Sequence, residues 1–500
     1  MPCLLIAVLT RLGKLSIRDA SAASAMTTGA FFVGLFSSML TYRLFLHRLG
    51  SFPGPTGASL SKFWHIVQLG KYDNYKRLDK WHEQYGDFVR IGPCELSIVD
   101  PDAVDAIMGA KSSCTKSVWY DIADPLVSLH QCRDRALHDK RRRTWDRGFS
   151  VKESRVQSYG NDLVRQIASF RGKPINASLW FNYYSFDVMG ELAFGKSFDM
   201  LKTGERHYAI KLLQEGIRPG GMVSPMPWLM ILLTKLPGLS AGYQKFVAFC
   251  EEQAMNRKKM DMKEKDIMSW LLDAEPMSTD AYQNHMWLVG DSRLVIVAGS
   301  DTTAAALTYL FYHVAENHSH VDKLRQEMAS LKQKNGDFDA KELGNAKYLN
   351  GMINETLRLH PPLISGVSRQ TPPEGIMIGN TRVPGDTIVS IPQFTIGRSE
   401  KAWERPHDFV PERWYSKPEM IRHKNAFAPF SAGRYGCIGK NLALMELRTV
   451  AAKLVTAFDI SFAPGENGKK LLDESKDHFT VGLAALKLQF RPRNQAPGAT

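Results

Sequence analysis

Near the N-terminus, apolar positions run together instead of alternating with polar ones. Ser21 to Tyr42 carries no charged side chain, and Gly29–Leu40 is its apolar centre. About 20 residues of helix cross a bilayer core, so this stretch predicts a membrane-spanning anchor, diluted by serine and threonine. The shorter Leu4–Leu9 run has no basic residue before it, which argues against a conventional cleaved signal sequence. Arg11, Lys14 and Arg18 precede the span and Arg43 and Arg48 follow it, so charge leaves its orientation open. Phe52-Pro53-Gly54-Pro55 then makes a stiff, extended link. The expected division is an anchor and flank over 1–50 and one globular unit over 51–500.

Within that unit the pattern is mostly helical. Lys76–Tyr85 reads as a helix, and Phe88–Val99 as two short strands around Gly92-Pro93. His138–Trp145 is a basic helical segment. Ile217–Leu239 mixes glycine, proline and large apolar residues, which suits a substrate entrance, contact with lipid, or packing between two helices. Trp287–Ala315 is long, apolar and nearly free of breakers, hence a buried helix. Lys440 to about Val455 is a good helix former. The expected class is mainly α with small β-sheets.

Composition adds little to this picture. The hydrophobic fraction is 44%, enough for an ample core, and the formal net charge is +13. No tract resembles a nucleic-acid tail. The charge is either solvated surface or attraction to anionic lipid and an acidic partner. The six cysteines (Cys3, Cys94, Cys114, Cys132, Cys250 and Cys437) are scattered without a CxxC pair, which disfavours a disulfide scaffold or zinc site and fits a reducing compartment. Two glycosylation sequons, at Asn176 and Asn317, would stay bare on a cytosolic face.

Chemistry concentrates in two places. Cys437 sits in a glycine-rich turn just before a helix, where free N–H groups and the helix dipole favour thiolate. Such a thiolate suits an iron ligand, and a small buried cysteine in a tight turn suits the same pattern. Ala298-Gly299-Ser300-Asp301-Thr302-Thr303 lies inside the long helix. Thr302 is four residues after Ala298, so its hydroxyl can take that carbonyl and bend the helix. Gly299 leaves room for a ligand over the distorted turn. A back-bonded threonine and a salt-bridged aspartate would explain the same residues.

Together these stretches resemble the cytochrome P450 haem-thiolate monooxygenases. Phe430, Gly433, Cys437 and Gly439 fit the family's haem loop, although Tyr435 stands where its arginine is expected, with Arg434 beside it. The oxygen-activation motif, Glu355-Thr-Leu-Arg358, Pro411-Glu412-Arg413-Trp414 and the cysteine loop occur in family order. The resemblance covers Pro53 to Pro492 and implies a haem-thiolate catalytic domain behind a transmembrane anchor. It implies Cys437 as iron ligand, with Phe430, Gly439 and Arg434 around the haem. His138, Arg142 and Arg369 would face the haem propionates, His138 and Arg142 being four apart on one helical face. Thr302 would supply the hydroxyl and Asp301 the proton relay for O–O cleavage, which the thiolate favours from the other side. Glu355, Arg358 and Arg413 would form a buried structural network. Trp119–Leu129, Ala298, Ala305 or Ala306, Leu363, Ile364, Val367 and Phe479–Leu483 would wall the pocket.

The resemblance also implies insertion of one oxygen atom from O2 into a lipophilic substrate. NADPH–cytochrome P450 reductase would supply electrons, with cytochrome b5 as a second donor. The expected site is the endoplasmic reticulum membrane, single-pass, with the catalytic domain cytosolic. The Trp145–Ser150 segment and the loop variant look most like fungal members, many of which act in secondary metabolism. Two alternatives remain: an electron-independent haem-thiolate isomerase or dehydratase, and a non-enzymatic membrane haem-binding protein.

Overall fold

The computed structural model describes residues 2–69, 72–149, 153–212, 225–236, 238, 240–260, 265–333 and 336–493. Ser150 and residues 217–224, 237 and 239 of the Ile217–Leu239 loop lie outside them. Within that loop, Pro227–Lys235 is a helix that packs on the 3-10 turn Val118–Ala123 and leaves Trp228 and Leu232 exposed.

At the centre runs the helix Ala281–Glu316, longer at both ends than the sequence pattern predicts. Asp280 starts it by accepting a hydrogen bond from the Tyr282 N–H at 2.9 Å, which satisfies one of the free donors of a helix N-terminus. Around it pack Ala177–Phe194, Ala241–Lys259, Lys347–Leu359 and Lys440–Ala457. Two glycines set how closely its neighbours approach. A Cβ on Gly290 would lie 2.0 Å from the Val127 carbonyl oxygen, and one on Gly299 2.5 Å from the Met189 sulfur. Gly299 therefore serves helix packing; the expected ligand space over that turn is filled by Met189.

A second, smaller core lies under a five-stranded sheet. Its order is Phe88–Gly92, Glu95–Ile98, Ile388–Ser390, Ser368–Gln370 and Thr115–Lys116, with only the second and third strands parallel. Leu96, Ile98, Val389 and Trp403 are buried beneath it. Ile175–Asn176, Lys487–Pro492 and Phe458–Phe462 form a three-stranded sheet beside the helical core.

At the N-terminus, Pro2–Arg11 folds back along the helix Ile17–Thr41, where Ser24 Oγ donates to the Pro2 carbonyl at 3.1 Å. The helix continues as a π turn through Leu46. Among the described residues, two helices are long and apolar enough to span a membrane. The most apolar window of Ile17–Leu46 is 0% buried, whereas that of Ala281–Glu316 is 67% buried, so the first is compatible with membrane anchoring and the second is core. Beyond the anchor, Leu49 is fully buried among the residues of the sheet core.

Candidate functional site

The cysteine loop is a closed turn. The Cys437 N–H donates to the Phe430 carbonyl at 2.8 Å, and Ser431 and Gly433 adopt φ of 58° and 60°. A Cβ on Gly433 would meet the Met108 oxygen at 2.4 Å, so the left-handed backbone and the close approach both demand glycine there. Helix Lys440–Ala457 begins at Gly439 without a side-chain cap, and the N–H groups of Gly439 and Lys440 both lower the Cys437 pKa, as does Arg142. Burial outweighs them and raises it overall. Desolvation thus opposes the expected bias toward thiolate, which a cation at the sulfur would favour. The Cys437 residue nevertheless keeps accessible surface.

Ala298 on the central helix likewise remains accessible, while Ile296 and Ser300 on either side are buried. One turn on, Thr302 Oγ1 donates to the Ala298 carbonyl at 2.8 Å, the bond its spacing predicts. Asp301 makes no salt bridge among the described residues. Its Oδ1 accepts from Asn182 Nδ2 at 3.3 Å, and burial pushes its pKa up to about 6 against that hydrogen bond. Ala305 and Ala306 are packed in the helical core and do not wall a cavity. Trp119 stacks on Phe479 with ring centroids 4.8 Å apart, and His130 meets the same ring at 5.6 Å, so two of the predicted wall segments do come together.

Beside the cysteine loop lies a buried basic cluster. Lys116 is 3% exposed, donates to the Leu129 carbonyl at 2.8 Å, and sits over the rings of Tyr435 and Tyr120. Burial, then Arg369, lowers its pKa to about 7. Arg369 is 2% exposed; its Nη1 donates to Tyr120 Oη at 2.7 Å, while its Nε has no partner. The His138 ring lies 4.8 Å from that of Tyr435, and its pKa falls to about 4 through burial and Lys116. Among the described residues neither Lys116 nor Arg369 pairs with a carboxylate.

Other expected members point elsewhere. Arg142 donates to the Gly436 carbonyl at 2.6 Å and to Asp146 at 3.1 Å, tying the basic helix to the cysteine loop. Arg434 is half-exposed and pairs with Asp139. Lys116, Tyr120 and His130 were not singled out as chemistry in the sequence, because each stands alone there and only the sheet brings them to Arg369.

Behind the loop, Glu355 gathers five hydrogen bonds. Arg358 donates through Nε at 2.9 Å and Nη2 at 2.7 Å, Arg413 through Nε at 3.2 Å, Trp414 at 2.9 Å and the Val410 N–H at 3.0 Å. The two guanidiniums also reach the carbonyls of Pro406, Asp408, Glu404 and Met420. All three charged side chains are fully buried. The expected network is present, and its satisfied donors make the burial tolerable.

Residues 53–490 match the family model for cytochrome P450. The chain belongs to the cytochrome P450 family. It is 42% identical to cytochrome P450 monooxygenase notG' of Aspergillus versicolor, over 96% of this chain and 89% of that protein. It is 42% identical to monooxygenase lcsK of Purpureocillium lilacinum, over 92% and 86%, and 40% identical to tryprostatin B 6-hydroxylase of Aspergillus fumigatus, over 94% and 85%. This P450 is thus an oxidoreductase of the monooxygenase class, and its family implies haem iron held through a cysteine thiolate.

The residues present fit that group. Cys437 keeps accessible surface in its closed loop, so its sulfur is free to ligate an iron that brings its other ligands with it. Lys116 and Arg369 form a buried basic pair without a counter-acid among the described residues, which two propionate carboxylates would neutralise.

Proposed function

We propose that this P450 is a monooxygenase of fungal secondary metabolism, anchored in the endoplasmic reticulum membrane by a single span with its catalytic domain in the cytosol. The anchor and flank occupy 1–50 and the catalytic domain 51–500, with Leu49 of the flank packed on the catalytic body. Electrons come from NADPH–cytochrome P450 reductase, with cytochrome b5 as a second donor. The substrate is a lipophilic molecule of low charge, such as a terpenoid, polyketide or prenylated indole, and the stacked Trp119 and Phe479 favour a flat one.

Cys437 would hold the haem, which when bound would supply the iron for oxygen chemistry on the substrate. The chain's own groups do the rest. Thr302 holds its hydroxyl against the Ala298 carbonyl, which leaves the oxygen atom as an acceptor and relay for a proton. Asp301, with a pKa near 6, binds and releases a proton close to neutral pH, and Asn182 fixes its orientation. Arg142 keeps the cysteine loop docked on the basic helix.

The observation that carries this reading is the accessible Cys437 beside buried cations that lack a counter-acid among the described residues. The test is the carbon monoxide difference spectrum of the reduced protein. The thiolate-type Soret band is expected in the wild type and absent in Cys437→Ser; its persistence in that variant refutes the assignment. An electron-independent isomerase would turn over without NADPH, so a stoichiometric NADPH and O2 assay separates it from a monooxygenase.

A further inference from the structure

Tyr435 presents a ring where the family's haem-loop pattern expects an arginine, and the structure places two cations against that ring. Lys116 Nζ is 4.9 Å from its centroid and the Arg369 guanidinium carbon 5.1 Å. Lys116 is held from below by the Leu129 carbonyl, and Leu129 is itself fixed by its N–H to Asp291 Oδ1 at 2.8 Å. Asp291 in turn receives the Arg141 Nε at 2.6 Å, so its charge is already matched and does not serve Lys116. A buried ammonium with one carbonyl partner still has two donors to place. A buried guanidinium that donates only through Nη1 and leaves its Nε without a partner among the described residues has donors to place as well. Leaving such charge unmatched is costly, whereas an aromatic face softens but does not cancel it.

We propose that Lys116, steered by the Tyr435 ring, replaces the missing loop arginine as the cation that grips a haem propionate. The lost guanidinium on the cysteine loop is made good by an ammonium on the short strand Thr115–Lys116, and Tyr435 acts as a positioning residue for it. The inference rests on the haem reading above. It differs from the expectation that Arg434 fills this role, since Arg434 faces outward to Asp139.

The test measures haem loss from the purified holoprotein to an apomyoglobin acceptor, together with the reduction potential. Lys116→Met is expected to release haem on the order of tenfold faster, a factor worth about 1.4 kcal/mol, and to shift the potential negative, because a cation near the haem favours the reduced form. Lys116→Arg should retain haem. In the Lys116→Met background, Tyr435→Arg should restore retention by returning a cation to the loop, which a purely structural role for Lys116 would not allow. Tyr435→Phe should match the wild type, since only the ring face is used. Unchanged haem loss in Lys116→Met, or no rescue by Tyr435→Arg, overturns the proposal while leaving the thiolate spectrum of the haem reading intact. A wild type that shows no thiolate spectrum overturns the underlying reading instead.

Discussion

At the residue scale, Thr302 and Asp301 are adjacent yet held by different neighbours. Thr302 bonds back to its own helix and Asp301 reaches Asn182 on another. Removing the Thr302 hydroxyl leaves the helix intact and removes a proton relay, so Thr302→Ala should keep haem but divert reducing equivalents to peroxide. The ratio of product to NADPH consumed is expected to fall several-fold; an unchanged ratio counts against the role. Asp301 makes a pH-dependent contribution of definite sign. Its folded pKa of about 6 lies above the roughly 3.9 of an unfolded aspartate. The folded state therefore binds more protons between those values, and stability falls as pH rises through that window. Asp301→Asn should match the wild type below about pH 4 and become relatively more stable, by at most about 3 kcal/mol, above pH 6. Denaturant titrations at a series of pH values read this directly. The back-bond of Thr302 was legible from the four-residue spacing alone. Its neighbour's partner was not, because Asn182 lies on a distant segment with no pattern to mark it.

Between elements, close approach is set by absent side chains. At Gly299 the obstructing group is the flexible Met189 side chain, while at Gly290 it is the Val127 backbone. Gly299→Ala should cost about 1–3 kcal/mol, and part of that should return when Met189→Ala is added, since the two sites share one space. Gly290→Ala should cost more and find no such rescue, because a carbonyl cannot repack. Thermal unfolding of the two single variants and the double variant tests this order. The long helix itself was plain from its unbroken apolar run, but the reason for its glycines was not, since a missing Cβ shows its purpose only once the facing helix is known. The Glu355 network divides the same way. Its members were identifiable by motif, whereas the five donors that converge on the carboxylate include Trp414 and a backbone N–H that no spacing rule marks. Glu355→Ala would leave Arg358 and Arg413 buried without their anion, a loss of about 3–5 kcal/mol. The expected outcome is expressed protein with little bound haem, read as a lowered ratio of Soret to protein absorbance.

For the whole molecule, the question is where the anchor ends and the catalytic body begins. The helix exposes Phe31, Val33 and Phe36 along its length, an apolar surface that suits lipid. After Thr41 the chain starts to bond with the body. Arg90 Nη1 donates to the Arg43 carbonyl at 3.2 Å, Arg48 Nη2 to the Asp386 carbonyl at 3.0 Å, and Leu49 is fully buried in the sheet core. Apolar composition located the span, but it could not reveal that the flank behind it belongs to a packed core forty residues downstream. Two truncations follow from this difference. Deleting residues 2–41 should move the protein from the membrane pellet to the supernatant and leave the thiolate spectrum and unfolding temperature unchanged. Deleting residues 2–50 removes the same span and also Leu49, whose lost packing should cost about 2–5 kcal/mol. The longer deletion should therefore be equally soluble but unfold at a distinctly lower temperature, and Leu49→Ala in the full chain should reproduce much of that drop without altering membrane attachment. Equal unfolding temperatures for the two truncations would place the boundary at residue 50 and make the flank a passive tether.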